Sequence, residues 1–230
     1  MQSIMSERHY PVITLLASGS GSTAEAVIHA TQTGILQAEV VQVISNNEDA
    51  GVFDRVDRLN KQYGLGIRKL HISGQTHPTG AGQRGEQSLA ESEAICAVAA
   101  ASNTALVGLV GYMRKVRGEL LEEYGALSTH TSSFDARMLN THPGPLPHTQ
   151  GYHGIHVQEK VLEDGLSYSA QTTHAVAADY DTGSVFRSHP VPVMPGDTAE
   201  DLSQNVQTTE KVWLPIDIQD YLNDQRLSRL

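Results

Sequence analysis

Three polar side chains have the types and spacing that an acyl-transfer reaction needs. Asn140 and His142 are two residues apart at the end of the apolar pair Met138-Leu139, and Asp181 follows further along the chain. Alternate side chains of a β-strand point to the same face, so Asn140 and His142 would project together. Pro143 has no N–H and cannot continue a central strand, so it marks where the chain leaves the sheet. An amide, an imidazole and a carboxylate that meet at such an edge predict an acyl-transfer site.

Alternating strand-like and helix-like segments must position these side chains. Apolar runs predict strands at residues 12–17, 40–44, 67–72, 105–110 and 138–142. Amphipathic or apolar segments predict helices at residues 23–33, 52–63, 86–102, 117–124 and 154–163. This alternation predicts an α/β fold with a Rossmann-like, mainly parallel, twisted sheet and helices on both faces.

The C-terminal part of the chain follows a different pattern. Residues 167–175 and 184–193 predict two strands around the turn 179–183. An antiparallel C-terminal portion of the sheet is therefore expected. Thr198 opens a long final helix, and Asp201 three residues later resembles a capping box.

Composition restricts the classes of partner. The chain has 230 residues, of which 39% are hydrophobic and 18% charged, as in ordinary globular proteins. Its net charge of −10 argues against a broad nucleic-acid-binding surface. No run approaches the roughly eighteen apolar residues of a membrane span. We therefore expect small-molecule substrates, with neither nucleic acid nor a membrane as partner.

The single cysteine and the absence of a repeat or linker suggest how the chain is organised. Cys96 cannot form an intrachain disulfide, and its apolar helical surroundings predict a buried structural thiol. The N-terminus is polar and has no hydrophobic signal region. We expect a cytoplasmic monomer or homodimer with a single domain over residues 1–230, of which residues 1–10 form a flexible N-terminus.

A glycine-rich loop follows the first predicted strand and opens the first helix. It comprises Gly19, Ser20, Gly21, Ser22 and Thr23. Glycines allow successive N–H groups to face an anion, and a helix N-terminus adds partial positive charge. We predict phosphate binding here, with a tight turn that binds no ligand as the alternative.

The same loop leaves an oxidoreductase as a rival, because Gly19-x-Gly21-x-x-Ala24 fits a dinucleotide fingerprint. A dinucleotide site needs an acidic residue at the end of the second strand to bind the ribose. The chain has the amides Asn46 and Asn47 there, and Glu48 comes late. This weakens the rival without removing it.

Two other loops should leave the same edge of the sheet, at residues 111–115 and 140–147, because ligands bind beyond the carboxyl ends of parallel strands. Arg114 could pair with a carboxylate, and Met113 and Val116 could line an apolar slot beside it.

Several polar residues lie outside these loops. Gln207 and Glu210 share a face of the final helix, which is either solvated or directed at substrate. His174 is expected to be a strand residue with a hydrogen-bonded ring. No metal site is expected at the loop histidines, because no acidic or cysteine partner lies at ligand spacing; they are His148, His153 and His156.

In their order and spacing, these residues resemble the folate-dependent formyltransferases of purine synthesis, over about residues 12–221. The shared motifs are Ser18 to Ser22, Ser45-Asn46, Gly111 to Arg114, Asn140-x-His142-Pro143 with Leu146-Pro147, Gly151-x-His153, Asp179-x-Asp181-x-Gly183 and Val206-Gln207-x-x-Glu210. Each motif alone is weak, whereas the whole set is specific.

The resemblance implies 10-formyltetrahydrofolate as donor and the primary amine of glycinamide ribonucleotide as acceptor, in de novo purine biosynthesis, without a metal. It implies catalytic roles for Asn140, His142 and Asp181, and acceptor-phosphate binding by Gly19, Ser20, Gly21, Ser22 and Thr23. It places Met113, Arg114, Val116, Ala177 and Asp179 beside the folate. Glu210, with Gln207, would lie near the acceptor, and His174 would support the catalytic group.

The residue types agree with this chemistry. A neutral amine attacks the formyl carbon, and the formyl oxygen becomes negative. Asn140 can donate an N–H to that oxygen, and a protonated His142 can donate more strongly. Asp181 would hold the imidazolium, or a water that carries the proton to the leaving nitrogen.

Departures from the family pattern occur at Ser20, Thr23, Gly144 and Thr182. They spare Asn140, His142 and Asp181 and lie around the acceptor phosphate and the folate loop, so they concern the identity of the acceptor rather than formyl transfer. A different amine acceptor, or water in a formyltetrahydrofolate deformylase, remains an alternative.

Overall fold

The strands form one seven-stranded sheet in a computed structural model that describes residues 10–126 and 135–227. Apart from Tyr10, the expected flexible N-terminus lies outside the described residues. The elements are β1 (Val12–Leu16), α1 (Ser22–Thr33), β2 (Glu39–Ser45), α2 (Val52–Tyr63), β3 (Arg68–His71), α3 (Leu89–Ala101), β4 (Thr104–Leu109), α4 (Gly118–Tyr124), β5 (Met138–His142), α5 (His156–Glu163), β6 (Tyr168–Ala175), β7 (Val185–Pro192) and α6 (Ala199–Leu227).

The strand order is β3-β2-β1-β4-β5-β6-β7. The first five strands pair in parallel, and β6 and β7 join the sheet antiparallel. The predicted fold class is therefore confirmed, including the antiparallel C-terminal portion. The carboxyl ends of β1, β4 and β5 lie at one edge of the sheet, which we call the rim.

Alternate residues of the central strands separate two hydrophobic cores. Ile13 and Leu15 pack with α1, α2 and α6, whereas Leu16 packs with α3 and α4. Helices therefore cover both faces, as buried parallel strands require. Cys96 is buried in the second core, and burial raises the pKa of its thiol to about 11, which suits a structural residue. In the described part of the chain, no helix combines the length and apolar character of a membrane span.

Side-chain caps set two of the helix boundaries. The predicted start of α3 at Glu86 was three residues early, because Ser88 forms a capping box with Glu91. The predicted capping box before α6 is confirmed: the Thr198 hydroxyl accepts the Asp201 N–H, and the Asp201 carboxylate accepts the Thr198 N–H.

Candidate active site

Asn140, His142 and Asp181 meet at the end of β5, with His174 between them. Asn140 Nδ2 lies 3.1 Å from His174 Nε2. The Asp181 carboxylate lies between the two histidines, with Oδ2 at 3.5 Å from His142 Nδ1 and Oδ1 at 3.5 Å from His174 Nε2. The chain therefore brings the amide, the imidazole and the carboxylate together, and adds a second imidazole to them.

The register of β5 against β6 explains how His174 orients Asn140. The two residues are direct partners in the antiparallel ladder. His174 Nδ1 lies 2.9 Å from the Ala175 carbonyl, which assigns a proton to Nδ1 and leaves Nε2 to accept an N–H from Asn140. Among the described residues, only His174 binds the Asn140 amide nitrogen. The second hydrogen of the Asn140 amide nitrogen is available to a ligand.

The turn at residues 179–183 carries Asp181 in a left-handed conformation, with φ of 56°. The Thr182 hydroxyl donates to the Asp179 carbonyl, and Gly151 N–H donates to Asp181 Oδ2 at 3.2 Å. A Cβ on Gly183 would lie 1.7 Å from the Ala175 carbonyl oxygen, so the end of the turn lies against β6 and admits no side chain. These contacts fix the carboxylate beside the histidines.

His142 is buried, and its Nε2 lies 2.9 Å from the Thr149 hydroxyl. Burial lowers the pKa of His142 to about 4, against the opposing effects of the Asp181 carboxylate and the Thr149 backbone. His142 is therefore neutral near pH 7 without substrate, and the expectation of a protonated imidazole is wrong for this state. A neutral imidazole has one N–H and one free lone pair, so it can accept a proton during the reaction.

Asp181 keeps its charge. Burial raises its pKa, but the neighbouring His174 and His142 rings and the Gly151 N–H outweigh burial and leave the pKa below its usual value. A carboxylate in this position stabilises a proton that arrives on the His142 ring.

The glycine-rich loop lies at the same rim, next to β4. Ser18 N–H donates to the Gly111 carbonyl at 3.0 Å, and Met113 N–H donates to Ser18 Oγ at 2.8 Å. Gly21 has φ of 76° at the N-terminus of α1, and a Cβ there would lie 2.4 Å from Val52 Cγ2. Glycine is required at this position by both the backbone angle and the close approach of α2.

Thr23 and Glu210, which the sequence assigned to separate contacts with the acceptor, are hydrogen-bonded to each other. The Thr23 hydroxyl donates to Glu210 Oε2 at 2.9 Å, and the Thr141 hydroxyl donates to Glu210 Oε1 at 2.8 Å. The Thr23 hydroxyl is therefore bound to Glu210 here, while the Thr23 N–H lies at the start of α1, and phosphate binding at Thr23 stays a prediction. Burial raises the pKa of Glu210 despite both hydroxyl donors.

The residues predicted to bind folate differ in their surroundings. Met113 is exposed, and Ala177 is partly buried. Asp179 is exposed and forms an ion pair with Lys115 at 3.3 Å. The Val116 side chain packs in the core with α3 and α4 and also lines a pocket with Lys115 and Ala178, so its place beside the folate stays a prediction.

Arg114 is directed inward. Its Nη2 donates to the Glu86 carbonyl and lies 3.4 Å from the buried Glu91 carboxylate. Its Nε is buried and has no hydrogen-bond partner in the described part of the chain. Arg114 also lines a cleft of ≈ 600 Å³ between the ends of β2 and β3 and the irregular 74–86 segment. A polar ligand atom in this cleft is one way to satisfy Nε.

The remaining candidates do not join the site. Gln207 is exposed and donates to Ser203 one turn earlier, as expected for the solvated alternative, so a contact of Gln207 with the acceptor stays a prediction. His148 and His156 bind carboxylates, of Asp164 and Glu159 respectively. The described residues contain no group of three or more metal-ligating side chains.

Reasoning from sequence missed four contacts. They are the hydrogen bonds of Thr149 with His142, of Thr141 with Glu210 and of the Gly151 N–H with Asp181, and the ion pair of Arg114 with Glu91. Thr141 was detectable in principle, because it lies between Asn140 and His142 and must point to the opposite face. The other three depend on tertiary packing.

Residues 12–218 match the formyl transferase family, so the chain belongs to that family. It is 29% identical over 204 residues to phosphoribosylglycinamide formyltransferase of Escherichia coli (strain K12), covering 89% of this chain and 84% of that protein. It is 30% identical over 207 residues to the trifunctional purine biosynthetic protein adenosine-3 of Bos taurus. That match covers 90% of this chain but only 18% of the bovine protein.

The fold also matches a solved structure, glycinamide ribonucleotide transformylase 1 from Symbiobacterium toebii. The TM-score is 0.76 at 30% identity, and the match covers 93% of this chain and 88% of that one. Family membership removes the support for a dinucleotide oxidoreductase, which rested on the glycine-rich loop alone.

Proposed function

We propose that this chain transfers the formyl group of 10-formyltetrahydrofolate to the primary amine of glycinamide ribonucleotide, in the cytoplasm and without nucleic acid. The observation that carries the proposal is the cluster of Asn140, His142 and Asp181 at the rim. The relatives named for this activity, which match most of the chain, support the choice of acceptor.

The reaction joins the acceptor nitrogen to the formyl carbon and breaks the bond from that carbon to the folate nitrogen. Negative charge grows on the formyl oxygen, and the free N–H of Asn140 can donate to it. The attacking amine loses a proton, and the leaving folate nitrogen gains one. The neutral His142 can take up that proton and release it, and Asp181 stabilises the imidazolium in between.

The acceptor phosphate would bind the N–H groups of Gly19, Ser20, Gly21 and Ser22 at the N-terminus of α1. This loop lies beside Glu210, which the Thr23 and Thr141 hydroxyls hold at the rim. Glu210 is therefore suited to bind a polar group of the acceptor between its phosphate and its amine.

The folate would bind beside the exposed Met113 and the 177–181 loop. Arg114 supplies a partly satisfied guanidinium there, because its Nε has no partner among the described residues. Asp179 is the least constrained of the predicted folate contacts, because its carboxylate is exposed and, in the described part of the chain, pairs with Lys115 alone.

The test is a steady-state assay with a 10-formyl folate donor, with and without glycinamide ribonucleotide. It compares the wild-type protein, His142→Ala and the control His29→Ala, whose exposed ring contacts Tyr63 on α2. We expect acceptor-dependent loss of the formyl group, with a rate reduced about 10²-fold or more by His142→Ala alone.

Other outcomes would change the assignment. Loss of the formyl group without acceptor would indicate a deformylase. Folate binding without turnover would indicate a different amine acceptor. A protein that shows no turnover and binds no folate would contradict the proposal.

A further inference from the structure

Thr149 contacts the side of His142 that faces away from Asp181. The residue is completely buried, and its hydroxyl lies 2.9 Å from His142 Nε2. The same hydroxyl donates to the Pro145 carbonyl at 3.2 Å. The Thr149 backbone also contacts the His142 ring and opposes the lowering of its pKa.

The direction of this hydrogen bond determines which ring nitrogen of His142 carries the proton. A hydroxyl has one hydrogen, so a Thr149 side chain that donates to Pro145 must accept from Nε2–H. The neutral ring then has its lone pair at Nδ1, the nitrogen nearer Asp181. The separation of 3.5 Å between Nδ1 and Asp181 Oδ2 is longer than an ordinary N–H···O bond, as expected when Nδ1 carries no proton.

Gly144 makes room for the hydroxyl. A Cβ at this position would lie 2.3 Å from Thr149 Oγ1 and 2.5 Å from Val157 Cγ1. Gly144 is one of the departures from the family pattern noted above. The Thr149 hydroxyl therefore fills the space beside His142 that a side chain at position 144 would need.

We propose that Thr149 is a positioning residue that holds His142 as the Nε2–H tautomer, with Nδ1 free to accept the proton of the attacking amine. Gly144 permits this contact by lacking a side chain. The kinetic part of the inference rests on the proposed function, whereas the tautomer does not.

The charged groups around His142 agree with this arrangement. Asp181 faces it from the 179–183 turn, and His174 faces it from β6. His148, in the same segment as Thr149, binds Asp164. A proton that arrives at Nδ1 is attracted to the Asp181 carboxylate, while Nε2–H keeps its bond to Thr149. The ring therefore becomes charged without leaving a buried polar atom unpaired.

The first experiment is ¹H–¹⁵N NMR of the imidazole rings in the full chain at pH 7, for the wild type, Thr149→Val and Thr149→Ser. Thr104→Val is the matched control, since it removes a buried hydroxyl bonded to Thr14 at the opposite end of the sheet. We expect the Nε2–H tautomer in the wild type, Thr149→Ser and the control, and a mixed or Nδ1–H ring in Thr149→Val.

The second measurement is the kinetics of the same proteins. Loss of one hydrogen bond to the reacting ring should lower kcat about tenfold in Thr149→Val, with both KM values within about twofold and recovery in Thr149→Ser. If the wild type transfers no formyl group, the proposed function fails while the NMR result still decides the tautomer.

Gly144→Ala provides an independent test if Thr149→Val does not fold. Its methyl group must displace the Thr149 hydroxyl, so we expect the same tautomer change with the threonine intact. The inference is overturned by an Nδ1–H ring in the wild type, or by a ring whose tautomer is unchanged in both Thr149→Val and Gly144→Ala.

Discussion

The two faces of β5 serve different parts of the site. On one face, Asn140 and His142 contact β6, the 179–183 turn and the segment that carries Thr149. On the other face, Thr141 holds Glu210 of α6 next to the start of α1. The first face has the groups that can stabilise charge and move a proton. The second joins the glycine-rich loop to a partly buried carboxylate.

From this difference we expect three consecutive residues of one strand to separate chemistry from acceptor binding. A change on the first face should act mainly on kcat. A change on the second should act on acceptor binding or on the stability of the loop. The predictions below test this separation, in order of decreasing effect.

Asp181→Asn should cause the largest change. It removes the charge that stabilises a proton on His142, so we expect kcat to fall about 10²–10⁴-fold with both KM values nearly unchanged. Steady-state kinetics of the variant checks this, with Asp57→Asn as control, because the Asp57 carboxylate is exposed on α2 and paired with Lys69. A rise in the acceptor KM with normal kcat would assign Asp181 to acceptor binding and break the separation.

Gly21→Ala should be the most damaging change at the glycine-rich loop. The new methyl group would meet Val52 in a left-handed backbone, so we expect a loss of about 2–4 kcal/mol in the free energy of unfolding. Gly19→Ala is the matched control, because a Cβ at Gly19 has no neighbour within 4 Å. Urea unfolding measures both variants. Equal losses of unfolding free energy in the two variants would show that contact with Val52 on α2 does not determine the effect of a side chain at position 21.

Stability should depend on pH through His142. Its pKa is about 4 in the folded chain and 6.5 when unfolded, so its contribution is complete above pH 6.5 and is lost as the pH falls toward 4. Relative to His142→Gln, the wild type should lose about 2 kcal/mol of unfolding free energy between pH 7.5 and pH 5. Urea unfolding at both pH values measures this. If the two proteins differ by the same unfolding free energy at both pH values, then burial does not lower the pKa of the His142 ring.

Glu210 and Gln207 should respond differently, although both lie on α6. Glu210→Gln changes the carboxylate bound by Thr23 and Thr141, so we expect the acceptor KM to rise about tenfold with little change in kcat. Gln207→Ala removes an exposed side chain and should alter stability by less than about 0.5 kcal/mol, with unchanged kinetics. Acceptor titrations of both variants check this. A matching rise in KM for Gln207→Ala would support the predicted acceptor role of Gln207.

Most of the fold follows from sequence patterns. The apolar runs of β1, β4 and β5 predict buried parallel strands, and their order places three loops at one rim. The shared face of Asn140 and His142 follows from the two-residue repeat of a strand, which holds whatever surrounds it.

The contacts that sequence reasoning could not foresee depend on neighbours far away in the chain. Val116 follows a polar loop, but its side chain is covered by α3 and α4. Gln207 and Glu210 are three residues apart, yet only Glu210 meets hydroxyls from α1 and β5. The neutral state of His142 reflects burial, which no local motif reports. Helix spacing limits which residues share a face, but the packing of that face determines their contacts.

The close approach of Gly183 to β6 has a consequence for protein engineering. A library that varies the 177–183 loop to change substrate preference would have unequal tolerance along its length. Ala178, Asp179 and Tyr180 are exposed and can accept many residue types. Any side chain at 183 would push the loop off the strand and move Asp181 with it. Diversity is therefore best placed before Asp181, and position 183 kept invariant.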